Sequence, residues 1–197
     1  MPLVEPLDHM ANPDVAELVT FYNETLGFCP NSLLTMQRRP DIAEAFVLLN
    51  KAVMANRGRL TAEQKRLMAY LTSAQSGCRY CQAHTLLAAE RYGGSDERLK
   101  QIWNFRDSAV FSSAEKALFE FALAASAVPN AVDETIETDL KRFWDDGEIV
   151  EALGVIALFG YLNRWNDSMA TRIESPAQAA AERHDTGLNW EPGKHQP

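Results

Sequence analysis

No stretch of this chain alternates apolar and polar residues for long enough to make a useful strand, while helix caps and breakers recur from end to end. That pattern confines the chain to an all-α fold. Asn12-Pro13 supplies an N-cap followed by proline at the first helical position, and Gly27 stops that helix near Leu26. Pro40 opens a second run, 41–56, in which Ile42, Ala45, Phe46, Leu49 and Val53 share one apolar stripe. Thr61-Ala62-Glu63-Gln64 is a capping box that starts a helix running to about Ser76. Gly77 allows a turn, and the next helix is expected from about Cys78 to Tyr92, ended by Gly93-Gly94. Ser95 caps a short helix, Ser112-Ser113-Ala114-Glu115 caps another, and Pro129-Asn130 separates that one from a helix over 133–144. A long last helix is expected from Glu148 to about Arg172, with Ser175-Pro176 breaking it.

With 197 residues the chain is long enough to bury a substantial core as one helical domain, 1–175. Residues 176–197 mix Gly, Pro, His and charge and read as a C-terminal extension that frays or packs on a neighbour. The formal net charge of −8 argues against a nucleic-acid partner, since such binding needs Lys and Arg to neutralise phosphates. Eight carboxylates between Asp133 and Glu151 read as a solvated helix face. The longest apolar stretch, 149–162, is interrupted by Glu151 and too short to span a bilayer, so no membrane association is expected. The first residues carry neither the basic nor the apolar segment of a signal peptide, and a cytoplasmic location is the expectation.

Two of the three cysteines stand in Gly77-Cys78-Arg79-Tyr80-Cys81-Gln82-Ala83-His84, where a helix begins. In a reducing compartment such a pair is more often catalytic, redox-sensing or metal-binding than a permanent staple. Helix N-termini present unpaired N–H groups and partial positive charge, which favour a thiolate at Cys78, and Arg79 adds a cation. Cys81 lies one turn inward as its partner, and His84 one turn beyond can carry the proton. Tyr80, between the cysteines, can donate a hydrogen bond to a peroxide or pack as a buried aromatic. Cys-x-x-Cys-x-x-His also offers up to three zinc ligands, but no second Cys/His pair accompanies it. Covalent haem attachment needs His directly after the second Cys, where Gln82 stands. Cys29, between Phe28 and Pro30, reads as core, while Asn163, Arg164 and Asp167 read as polar groups finishing an apolar helix.

The run Gly77 to Thr85 resembles the core motif of the carboxymuconolactone decarboxylase superfamily, and within it the alkylhydroperoxidase D-like (AhpD-like), peroxidase-related proteins. Leu26-Gly27-Phe28-Cys29-Pro30-Asn31 is similar to that family's opening segment, and 157–167 to its last core helix, so the resemblance covers roughly 20–172. It implies an all-helical AhpD-like fold, a homo-oligomer (dimer, trimer or hexamer), and no metal, haem or flavin cofactor. It also implies reduction of a hydroperoxide through a sulfenic acid and a Cys78–Cys81 disulfide, with a dithiol protein as reductant. The redox members usually carry a glutamate twelve residues before the first cysteine, where this chain has Arg66. Glu63, one turn earlier, is the carboxylate offered in its place, whereas Arg66 would instead stabilise a thiolate. The family histidine usually follows the second cysteine by four residues; His84 follows by three.

The expected activity is therefore that of a thiol-dependent peroxidase or disulfide oxidoreductase of peroxiredoxin type. Cys78 and Cys81 form the couple, His84 carries protons, and Glu63, Tyr80 and Arg66 are lesser candidates. A cofactor-free lactone decarboxylase and a non-catalytic redox-sensing or structural oligomer are the alternatives.

Overall fold

The computed structural model describes residues 1–9, 11–184 and 186–196, with the side chains of all of these except residues 14 and 25. Among them are ten α-helices and no strand: α1 (Ala16–Leu26), α2 (Asn31–Met36), α3 (Pro40–Met54), α4 (Ala62–Gln75), α5 (Arg79–Arg91), α6 (Asp96–Gln101), α7 (Ser113–Ser126), α8 (Glu134–Phe143), α9 (Asp146–Met169) and α10 (Ser175–Arg183). The expected all-α fold is therefore found.

The caps explain most boundaries. Thr61 and Gln64 form a capping box at α4, as do Ser112 and Glu115 at α7. Asp145 and Glu148 form a third, which moves the start of α9 ahead of the expected Glu148 and takes Gly147 into the first turn. The far end of α9 also differs from expectation. Ala170 turns left-handed (φ 49°) and ends the helix before Arg172. Ser175-Pro176, expected only as a breaker, opens α10, with proline in the first turn where its missing N–H costs nothing.

Helix α4 is the centre of the molecule, packed against α5, α7 and α9. Leu67, Met68, Tyr70 and Leu71 of α4 are fully or almost fully buried. The tail lies on its own chain: α10 packs on α5 through Ala177, Ala180 and Ala181, and the Trp190 indole donates to the Arg79 carbonyl at 3.1 Å. Residues 185 and 197 of that extension lie outside the described residues.

Helix α3 buries a different face from the expected stripe. Ala43 and Val47 point inward, while Ile42, Leu48 and Leu49 are exposed, because α3 leans on α9 and leaves its other apolar side uncovered. Its end is tied down by Lys65 of α4, which is fully buried. The ammonium donates to the carbonyls of Val53 (2.9 Å) and Ala55 (2.6 Å) and pairs with Glu151 of α9. Replacing Lys65 by Met keeps the stem but leaves these acceptors unmatched. The Lys65→Met variant is expected to lose about 3 kcal/mol of stability in urea titration. An unchanged midpoint would show that the tie carries no weight.

Candidate active site

The turn between α4 and α5 places the cysteine pair. Gly77 follows the Ser76 C-cap with φ +74°, a left-handed conformation that glycine adopts without Cβ strain. The Gly77 N–H bonds the Ala74 carbonyl and the Cys78 N–H reaches back to Ser73, the paired bonds of a Schellman end. Cys78 therefore leaves α4 and at once becomes the N-cap of α5. Its sulfur accepts the Cys81 N–H at 3.4 Å.

Both cysteines are free and buried. Only Cys81 lines the cavity, of about 570 Å³, that opens between α1, α3, α4, α5 and α9. The Cys81 sulfur also receives a hydrogen bond from the Asn166 amide at 3.5 Å. Burial, and next the adjacent Cys78 sulfur, push the Cys81 thiol well above its ordinary pKa, with Asn166 acting in the opposite direction. Cys81 is thus stored protonated, and using it as a nucleophile requires a base.

His84 stands on the same cavity. The His84 Nε2 meets the Glu174 carboxylate at 2.6 Å, its ring stacks on Tyr80 with centroids 4.2 Å apart, and the edge of Phe28 is 5.8 Å away. Glu174 also accepts the Tyr80 hydroxyl at 3.0 Å and the Asn31 N–H that starts α2. Burial raises the carboxyl pKa, but His84 and the Asn31 N–H outweigh it and hold Glu174 below the ordinary carboxylate range. An ionised carboxylate only accepts, so Nε2 is the donor in this pair. Tyr80, buried beside that charge, is pushed well above its ordinary pKa and stays a hydroxyl donor.

A sequence model of the carboxymuconolactone decarboxylase family matches residues 40–124. The solved structure of the debrominase Bmp8 is 31% identical, covers 92% of this chain and 97% of its own, and superposes with a TM-score of 0.83. A cysteine-to-alanine variant of the same enzyme, in complex with 2,3,4-tribromopyrrole, is 30% identical over the same coverage, with a TM-score of 0.84. The chain belongs to the carboxymuconolactone decarboxylase family. A peroxidase-related protein with an alkylhydroperoxidase D core from Ralstonia eutropha, 24% identical over 84% of this chain and 87% of its own with a TM-score of 0.76, shares the fold. Escherichia coli YnjA is 31% identical over 101 residues, 51% of this chain, and the match spans about half of that relative's length (53%).

Against this family background the residues singled out from the sequence divide into two groups. Cys78, Cys81, His84 and Tyr80 come together around the Glu174 carboxylate and the cavity wall. Glu63 and Arg66 do not join them. The Glu63 carboxylate is held by Arg98 at 2.7 Å, and Arg98 is shared with Glu115, so Glu63 is part of an ion cluster away from the cavity. Arg66 lines the cavity, but its guanidinium lies 3.8 Å from the centroid of the Tyr92 ring and donates to the Ala62 carbonyl; no bond joins it to either sulfur. Among the described residues the His84 imidazole reaches Glu174, not a sulfur. Cys29 is core as expected, its thiol raised to about 12 by burial and by the charge of Glu174. Among the described residues no cluster of three or more His, Cys, Asp and Glu is arranged to hold a metal ion.

Two contributors escaped the sequence reading. Glu174 lies in the link after the last long helix, ninety positions from His84, with no local spacing to announce it. Asn166 is one turn past Asn163, and only the packing of α9 on α5 reveals which amide meets the sulfur.

A direct consequence is pH-dependent. The rate of Cys81 alkylation by iodoacetamide, followed by peptide mass spectrometry, is expected to keep climbing above pH 9.0, the ordinary thiol value. A plateau reached near neutrality would show a thiolate already present at rest.

Proposed function

We propose that the protein reduces a hydroperoxide with its cysteine pair, Cys81 attacking and Cys78 resolving, and that a protein dithiol returns the pair to its reduced form. The observation that carries this reading is that Cys81, alone of the pair, faces a cavity that His84 also lines. Cys81 gives its proton to His84 by way of bound substrate or water, and the Glu174 carboxylate stabilises the imidazolium. The thiolate attacks the terminal peroxide oxygen, the O–O bond breaks, and the leaving alkoxide takes the proton back as an alcohol. Cys81 is then a sulfenic acid. The Cys78 sulfur, held by the Cys81 N–H, attacks it and expels water to give the disulfide. Two electrons leave the dithiol pair and reduce one peroxide.

A second reading has a specific observation in its favour. Phe21, Tyr22, Phe28, Phe46 and Phe159 make the cavity wall aromatic, and the debrominase relative matches over nearly its whole length. On a halogenated arene the same pair would act as reductant. Cys81 takes the halogen as a sulfenyl halide, the ring carbanion accepts the His84 proton, and Cys78 displaces halide to form the same disulfide. A lactone decarboxylation would instead survive loss of both thiols.

Titrating the reduced protein with hydrogen peroxide, an organic hydroperoxide and a brominated phenol separates these readings. The expected result is loss of the Cys78 and Cys81 thiols together, with a mass decrease of one hydrogen pair, reversed by a dithiol. Cys78→Ser should stop at the Cys81 sulfenic acid, and Cys81→Ser should abolish turnover. Consumption of a substrate at an undiminished rate by the double Cys-to-Ser variant would overturn the redox reading, and release of bromide with disulfide formation would select the second.

A homo-oligomer belongs to the same proposal. Leu48 is 68% exposed on α3 and Val150 70% exposed on α9, two helices that pack side by side, and Leu49 and Leu153 extend that apolar face. Light scattering is expected to give a multiple of 22.0 kDa for the native protein and a smaller species for the Leu48→Glu, Val150→Glu variant. A native mass equal to one chain would remove the oligomer.

A further inference from the structure

We infer that Arg66 is an anion-binding subsite at the end of the cavity, so that its ligand is a small, mostly apolar molecule carrying a carboxylate or comparable anionic group. This deepens the reading of the cavity as the substrate site and rests on it.

The side chain of Arg66 is unusual for its surroundings. The residue is only 8% exposed and lines the cavity that Cys81 and His84 also face. Its guanidinium is covered by the Tyr92 ring and donates to the Ala62 carbonyl, yet no carboxylate among the described residues pairs with it. The neighbouring cations are matched: buried Lys65 has Glu151, and half-buried Arg98 has Glu63 and Glu115. A buried guanidinium without a counter-charge is costly to keep, and burial lowers its pKa, so an anion entering the cavity gains what the fold has not supplied. The planar fork suits a carboxylate in two-point contact. The rest of the wall, mostly apolar with several aromatic rings, suits the body of the ligand. Lys51 and Arg91 also border the cavity, but both are exposed, and Lys51 sits over the Phe21 ring at 5.0 Å. Water screens them, so they attract anions to the mouth without selecting among them. The polarity of the ligand follows: anion toward Arg66, reactive group toward Cys81.

The test is equilibrium binding by titration calorimetry, with naphthalene-2-carboxylate and its uncharged carboxamide as matched probes. The native protein should bind the carboxylate roughly tenfold more tightly than the amide, the worth of one charge-assisted contact. Arg66→Gln should remove that preference, and Arg66→Lys should keep part of it. The Lys51→Gln, Arg91→Gln variant, altered only at exposed positions, should retain most of it, and unchanged binding of the carboxamide by Arg66→Gln guards against a folding defect. Equal affinity for the two probes, no binding of either, a preference surviving in Arg66→Gln, or its loss in the Lys51, Arg91 variant would each overturn the subsite. Because no turnover is measured, repeating the titration on the double Cys-to-Ser variant separates this subsite from the redox chemistry: the preference should persist there even if the peroxidase reading fails.

Discussion

One carboxylate holds the site together. Glu174 accepts from the first N–H of α2, from the Tyr80 hydroxyl and from the His84 ring, and it does so from the residue that caps α10. Three elements distant in sequence are thereby fixed around a single buried charge. A carboxylate in such a place is tolerated only when donors surround it, and removing one partner of a buried charged pair costs about 3–5 kcal/mol. The same carboxylate orients the imidazole and holds the surrounding elements in place.

The two sulfurs are made different by the same turn. Gly77 lets the chain reverse within one residue, so Cys78 is an N-cap and Cys81 lies one turn down the helix on the cavity side. One sulfur meets a backbone donor and no cavity; the other meets the cavity and an amide from α9. Identical side chains three positions apart thus have unequal surroundings, one set by the turn at Gly77 and the other by packing against the cavity and α9.

Much of the architecture was legible because it is written in local code. Capping boxes at Thr61 and Ser112, the stop at Gly27 and the turn at Gly77 concern neighbours in sequence, and each stands where the residues put it. The apolar stripe of α3 was misread because Ile42 and Leu49 are as apolar as Ala43 and Val47; composition cannot say which apolar face meets α9. Helix α10 was read as a break because Pro176 forbids a helical N–H bond, and the same property suits a helix start. Cys78, Cys81 and His84 announced themselves by spacing, whereas Glu174 and Asn166 act only through tertiary contacts. A carboxylate was sought on α4 because that is where the resemblance put one, and Glu63 proved to be engaged by Arg98.

The exchange at position 66 is best understood together with Glu174. The glutamate usual in the family would stand on α4 at the cavity wall; here the carboxylate bonded to His84 comes from the link before α10. Once that carboxylate is supplied elsewhere, position 66 no longer has to carry negative charge, and a guanidinium can occupy the cavity wall. The change reverses the electrostatic character of that wall from one that repels anions to one that attracts them, while leaving the cysteine pair and its proton carrier in place. On the proposed reading, proton handling falls to Glu174 with His84 and ligand selection to Arg66, two separate positions. Each can then vary without disabling the other, so a common thiol chemistry can be directed to a different class of substrate by a change on the wall alone.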